Sequence, residues 1–438
     1  MISALRSPAA LATLPLVLVT AACAPRPIAK VPPPTPRPPA GVAAATTGTV
    51  WASGLNTDGQ LGSPADGSVP SLTPVAGVGG RGRLTGVRAV AGGGRHSLAL
   101  LDGGTVVAWG SNDHGQLGDG TVRDRPLPAP VRAPDGGPGV LDDAVAISAD
   151  GDFSMALRAN GQVVTWGDGA DGQRGIGRRP APRTPTTVLG TSGKHPLDDV
   201  AAVSADGRTE LALRTNGQVV AWGSNAYGTV GDGTRTSRPL PVPVRGPHGA
   251  ARLTGVTRIA MGGKHGLALL REGRVVAWGR NDLGQLGDGT RRDRRTPVVV
   301  AGVHGNGRLV GVTAVSAADE HNYALLRDGT VVAWGANTAG QLGDGSWRPH
   351  TVPVPVVAAH GPLLRGVEQI DAGDAYGVAV LTDGAPLTWG AGGRGQLAAG
   401  NKVSRSRPGP LVMTHGDTVR PVLTVGVGER HLLLVLRD

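Results

Sequence analysis

The sequence predicts an all-β fold: a seven-bladed β-propeller of four-stranded blades, its ring closed by N- and C-terminal segments that share one blade. Three observations predict it. Trp-Gly recurs at Trp109, Trp166, Trp222, Trp278, Trp334 and Trp389, every 55–57 residues. The flanking text recurs with it, as in HGLALLREGRVVAWGRNDLGQLGDGT from His265 and HNYALLRDGTVVAWGANTAGQLGDGS from His321. Finally, the two ends are complementary halves of one unit. GTVWASGLNTDGQLG from Gly48 matches the second half, and HLLLVLRD from His431 matches the first. A fixed period of this length marks a repeat architecture. Four short strands repeated radially make a propeller.

Each element of the unit has a local reason. Around Trp278 the predicted strands are Val256–Ala260, Gly266–Leu270, Arg274–Trp278 and Pro297–Val300. Gly262-Gly263 and Glu272-Gly273 supply the turns between the first three. Asn160-Gly161, Asn216-Gly217, Asp328-Gly329 and Asp383-Gly384 are the dipeptides that tight hairpins need, because φ must be positive there. Val275, Val276, Ala277 and Trp278 are apolar in succession, as expected of a sheet packed on both faces. In the blade built from both termini, Ser53 stands where the others carry Trp. Trp51, two residues earlier, falls on the same strand face. The propeller is predicted to span 48–438.

The preceding residues have another character. Arg6 and the apolar run Ala9–Thr20 form an export signal, too short to cross a bilayer as a helix. The predicted signal peptide is 1–23. Ala21-Ala22-Cys23 resembles the lipidation motif of bacterial lipoproteins, with Thr20 where that motif carries Leu, Val or Ile. Cys23 is therefore the candidate lipidation site, and the expected location is the outer side of the cytoplasmic membrane. Plain secretion is the alternative if Cys23 is not lipidated. Residues 24–47 hold a Pro-rich linker favouring extended polyproline II.

Composition narrows the function classes. One Cys in 438 residues excludes an intramolecular disulfide and any Cys-based metal cluster. Only 3% of the residues are aromatic, which argues against a base-stacking nucleic-acid binder. Gly 72 and Pro 35 approach low-complexity values, but 39% hydrophobic content is too high for a disordered chain.

The text H-x-L-A-L…D-G-x-V-x-A-W-G…N-x-x-G-Q-L-G-D-G resembles the regulator of chromosome condensation repeat family. The resemblance covers about nine-tenths of the chain and implies a seven-bladed propeller. For function it implies several different roles: guanine-nucleotide exchange, inhibition of β-lactamases with binding of penicillin-binding proteins, or receptor and scaffold duties. Fold alone does not choose among them. The export signal argues against a nuclear role.

Candidate chemistry divides into structural and displayed residues. His96, His265, His321 and His431 occupy one repeat position, filled elsewhere by Phe153, Thr209 and Tyr376, so a structural role is expected. The six register Trp residues are expected to pack the blades. Asp119, Asp232, Asp288 and Asp344 lie in Gly-Asp-Gly turns. Each turn offers one carboxylate where calcium requires six to eight oxygens. No catalytic set, metal site or cofactor site emerges, and the expected function is non-enzymatic protein binding by a monomer.

Two displayed sets remain. The residues preceding the repeat His, namely Arg95, Asp152, Arg208, Lys264, Glu320 and Arg430 (with Ala375 in the seventh unit), are expected to ring the axis on one face as a binding surface. The segments after the third strands carry the whole of the +10 net charge. Their candidate anion-binding residues are Arg174, Arg178, Arg179, Arg183, Arg291, Arg292, Arg294, Arg295, Arg405 and Arg407. Trp347 is a candidate anchor beside them. The partners expected are an unknown protein, for example a cell-envelope enzyme, or anionic polymer or lipid headgroups; nucleic acid is not expected.

Overall fold

The computed structural model describes residues 47–64, 67–177, 183–359, 361–414, 419 and 421–438. Cys23, residues 24–46 of the linker, Arg178 and Arg179 lie outside them. The described chain forms blades of antiparallel strands, each blade running from the axis outward. In the fifth blade these are Val256–Gly262, His265–Leu270, Val275–Gly279 and Arg294–Val299. The outermost strand therefore begins at Arg294, three residues before the predicted start. The second, third, fourth, sixth and seventh blades occupy residues 87–130, 144–187, 200–243, 312–355 and 367–410.

The terminal blade joins Val422–Val427 and His431–Arg437 to Gly48–Leu55 and Ser68–Pro74. Gly48–Leu55 pairs with His431–Arg437 over seven consecutive residues, from Gly48↔Arg437 to Gly54↔His431. The first and last strands of the ring are thus held by a full backbone ladder, which leaves no open sheet edge between the termini.

Apolar residues on both strand faces produce not one core but a core at each junction between blades. Trp278 packs with Leu211, Leu213, Val219 and Ala221 of the fourth blade. Trp334 packs likewise with Leu267, Leu269 and Ala277 of the fifth. The indole N–H of each register Trp donates to a carbonyl of the preceding blade, for example Trp278 Nε1 to Thr229 O at 2.7 Å and Trp166 Nε1 to Gln116 O at 2.8 Å. The loop glycine beside it has a steric reason. Gly231 has φ of 73°, and a Cβ there would lie 2.8 Å from Trp278 Nε1. At the junction of the seventh and terminal blades, Trp51 packs with Tyr376, Val378 and Leu434.

Blade topology sorts the connections between two faces. Turns from innermost to second strand, and loops from third to outermost strand, lie on one face. The remaining turns and the blade-to-blade crossovers lie on the other. Both displayed sets therefore share a face.

Candidate binding face and central channel

The repeat histidines are buried at the blade junctions and couple neighbouring blades. His96 Nε2 lies 2.8 Å from Ser154 Oγ, and His431 Nε2 lies 2.9 Å from Ser97 Oγ. His265 Nε2 lies 2.6 Å from Asn322 Oδ1. Burial pushes the imidazoles of His96 and His321 down to about 3 and those of His265 and His431 to about 4. They are neutral spacers between blades.

Glu210 occupies the position of Ser97, Ser154 and Asn322. Those three donate to Gln60 O, Gln116 O and Gln285 O at 2.8, 2.9 and 2.8 Å. Phe153 replaces the histidine that would face Glu210 across the junction. Burial, aided by the Asp150 carboxylate, raises the Glu210 carboxyl well above its usual range.

The innermost strands surround a channel of about 840 Å³. Its wall is largely Ala, Val, Ser and Gly. At the mouth on the shared face stand Asp150, Asp206, Asp319, Asp374 and Glu429. Burial raises Asp150 to about 6 and Glu429 to about 7, and mutual repulsion adds to both. Burial and the neighbouring Asp150 raise Asp206 well above the usual carboxylate range. Among the described residues, no group of His, Cys, Asp and Glu is arranged to hold a metal ion.

These carboxylates take the axial place expected for Arg95, Asp152, Arg208, Lys264, Glu320 and Arg430, none of which lines the channel. Several of the expected ring residues lean outward to the loop of the preceding blade. Arg95 meets Asp58 at 3.3 Å, Arg208 meets Asp171 at 2.8 Å, and Asp152 meets His114 at 3.2 Å. Glu320 lies 3.7 Å from Arg280. The hairpin turn is the reason. The residue adjoining the second strand faces away from the axis, and the residue one or two places earlier faces the lumen. The acidic spacing was visible in the sequence, but the direction of each side chain was not.

The basic segments divide into bases and tips. At each base, the Gly-Asp-Gly carboxylate is occupied by its own loop. Asp288 accepts from Asn281 Nδ2, Thr290 N, Thr290 Oγ1 and Arg294 Nη2 at 3.1, 2.9, 2.7 and 2.8 Å. Burial alone would raise its carboxyl, but the Thr290 and Arg294 donors hold it below the usual range. Asp119 with Arg125, Asp232 with Arg238 and Asp344 with His350 repeat the arrangement. Arg294 is thus a structural ion-pair partner rather than a free anion site.

Two further assignments are corrected. Arg174 stands where other blades carry Leu, as at Leu117, and is buried. Its guanidinium donates to Thr165 O at 3.0 Å and Thr186 Oγ1 at 2.9 Å, and burial lowers it to about 10. Arg405, whose blade has Ala399 in place of the Asp, turns to the carbonyls of Thr388 and Gly409 at 3.0 and 2.7 Å. Burial lowers it to about 10 as well. Neither is available to a ligand.

Arg183, Arg291, Arg292, Arg295 and Arg407 are exposed. Arg407 also donates to Ala358 O at 3.0 Å. Trp347 is 48% exposed, whereas the other seven tryptophans are buried.

The comparisons agree with this architecture. The regulator of chromosome condensation (RCC1) repeat matches over residues 47–100, 103–157, 216–269, 272–325 and 328–380. The ultraviolet-B receptor UVR8 of Arabidopsis thaliana is 28% identical over 347 residues, covering 79% of this chain and 74% of the receptor. The human E3 ubiquitin-protein ligase HERC2 is 30% identical over 340 residues, 76% of this chain but only 6% of the ligase. Among solved structures, Prp20p of Saccharomyces cerevisiae, described with its binding of Gsp1p and histones, superposes with a TM-score of 0.74 at 22% identity. It covers 91% of this chain and 93% of its own. Human WBSCR16 gives 0.71 at 20% identity, covering 90% of this chain and all of its own. Repeat matches over more than half its length, on blades closed by a shared terminal sheet, establish that this chain belongs to the RCC1 repeat family of β-propellers.

Proposed function

We propose that this chain is an exported, non-catalytic propeller that binds a protein partner on the face carrying the channel mouth. One observation carries the reading. Beneath that face most blades repeat the same framework, such as the register Trp and the strands around it, yet the seven inner turns do not. They run Gly94-Arg95, Gly151-Asp152, Gly207-Arg208, Gly263-Lys264, Asp319-Glu320, Asp374-Ala375 and Glu429-Arg430. Positions freed from the repeat on a rigid frame are where recognition is built. Relatives of this fold support the reading, since Prp20p is described as binding Gsp1p and histones. Export rests on the N-terminal signal, and anchoring rests on Cys23.

The test is capture from an envelope fraction by the full chain, followed by charge reversal at Lys264, Glu320 and Arg430. Loss of one defined partner with an unchanged melting temperature supports the reading. Retention of the same partner by the triple variant would exclude this face. Palmitate labelling of the parent and of Cys23→Ala separates an anchored protein from a secreted one.

A further inference from the structure

The loop tips between third and outermost strands form a second surface on the same face, at larger radius. The fourth to seventh blades carry Arg235-Thr236, Arg291-Arg292, Trp347-Arg348 and Lys402-Val403 at equivalent tip positions. All eight residues are exposed, Trp347 at 48% and Val403 at 66%. The tips share one construction. Thr236 N bonds to Thr234 Oγ1, Arg292 N to Thr290 Oγ1 and Arg348 N to Ser346 Oγ, each at 3.3 Å. Val403 N bonds to Asn401 Oδ1 at 3.0 Å in the same way. Each tip stands on the rigid base described above, or on its counterpart in the seventh blade. The base also leans on the next blade: Gly233 N donates to Arg295 O, and Gly289 N to Thr351 O, both at 3.0 Å.

Among the described residues, no ion pair engages Arg291, Arg292, Arg348 or Lys402. The carboxylate between these tips, Asp293, is held by Arg235 at 3.3 Å and by the backbone N–H of Asn281 at 3.0 Å. The arc is therefore cationic, with its neutralising groups absorbed into the loop bases.

We propose that this arc docks on an anionic phospholipid bilayer. Arg291, Arg292, Arg348 and Lys402 meet the headgroup phosphates, while Trp347 and Val403 enter the headgroup layer. Three features favour a bilayer over a soluble polyanion or an acidic protein. Equivalent positions on one face of a rigid ring are reached together by a flat surface. Cationic and apolar side chains share the same tips, and an interface takes both, since Trp is at home at headgroup depth and Arg at the phosphates. A soluble polyanion would leave Trp347 and Val403 in water. The inference does not rest on the protein-binding reading. If both hold, the partner at the channel mouth is itself seated at the membrane surface.

Trp347 makes the test specific, because it is the exposed one of eight tryptophans. The full chain carrying Cys23→Ser is titrated with vesicles of phosphatidylcholine alone, and with vesicles of equal parts phosphatidylcholine and phosphatidylglycerol. The expected result is a shift of tryptophan emission to shorter wavelength with the anionic vesicles only, weakened by salt and absent in Trp347→Ala. Arg291→Ala/Arg292→Ala should raise the lipid concentration at half-shift about thirtyfold, from roughly a fivefold loss for each basic residue near the surface. Arg252→Ala/Arg308→Ala, on the opposite face, should leave it unchanged. No shift with anionic vesicles would overturn the proposal. So would an equal effect of the opposite-face variant, or equally tight binding to polyglutamate with Trp347 emission unmoved.

Discussion

Arg292 and Arg294 stand two residues apart in one loop and have opposite fates. Arg294 belongs to the loop base, where Asp288 ties it to Asn281 and Thr290. Arg292 belongs to the tip, and only its backbone takes part in the fold. The same division runs through the other loops. It teaches that the positive charge concentrated in these segments is not one surface. Part of it is scaffold, as at Arg125, Arg238 and Arg294, each held by a carboxylate six residues upstream, and part is display.

The contrast between frame and display can be broken from either side. The largest effect is expected from deleting Val425–Asp438. This removes most of the two inner strands of the terminal blade and the seven-residue ladder to Gly48–Leu55. The product should fail to fold as a monomer, read by size exclusion and circular dichroism; a stable monomer would disprove closure by the termini. Trp278→Ala removes a junction side chain with no exposure and should cost about 3–5 kcal/mol in denaturant melts. A change of less than a degree or two in Tm would deny the packing role.

Asp288→Ala attacks a base. It leaves the Thr290 N–H and the Arg294 guanidinium without their acceptor and should cost about 1–3 kcal/mol. Arg291→Ala/Arg292→Ala attacks a tip and should change stability by no more than about 0.5 kcal/mol. If the two variants destabilised equally, the distinction between base and tip would fail.

A pH series sharpens the comparison between blade junctions and channel mouth. The junction histidines have folded values near 3–4 against an ordinary 6.5. Their contribution is present above 6.5 and is lost as pH falls toward the folded values. The mouth carboxylates are raised by burial, Asp150 to about 6 and Glu429 to about 7. Their neutral forms fit the fold, so stability is lost as pH rises from the ordinary carboxylate value of 3.8 for Asp150 toward those folded values. The two groups oppose each other between about 4 and 6.5. Asp206→Asn removes part of the carboxylate contribution, so Tm should rise with pH more steeply in that window than in the parent. An unchanged slope would mean that the mouth does not store this repulsion.

Much of the frame was legible from the chain. The Trp-Gly period, the Gly/Asn turn residues and the complementary termini specify blades, turns and closure, because each is a local preference stamped out many times. Even Trp51 was placed on its strand face by alternation alone. Less of the candidate face was legible. Arg95 and Arg208 turn outward to Asp58 and Asp171, and the lumen belongs to the acidic neighbours of the expected ring residues in the same turns. Arg174 looked like one more loop arginine, yet it fills a leucine site between strands.

The amino-acid sequence by itself thus determined the repeat, the blade count, the closure and the segments that hold the charge. Those properties depend on period and composition, which are read by comparing the units along the chain. The tertiary structure alone decided which charges are buried, paired or free. A side chain's direction at a tight turn, and the acceptor waiting for it, come from contacts with the neighbouring loop or blade. Such contacts exist only once the ring has closed.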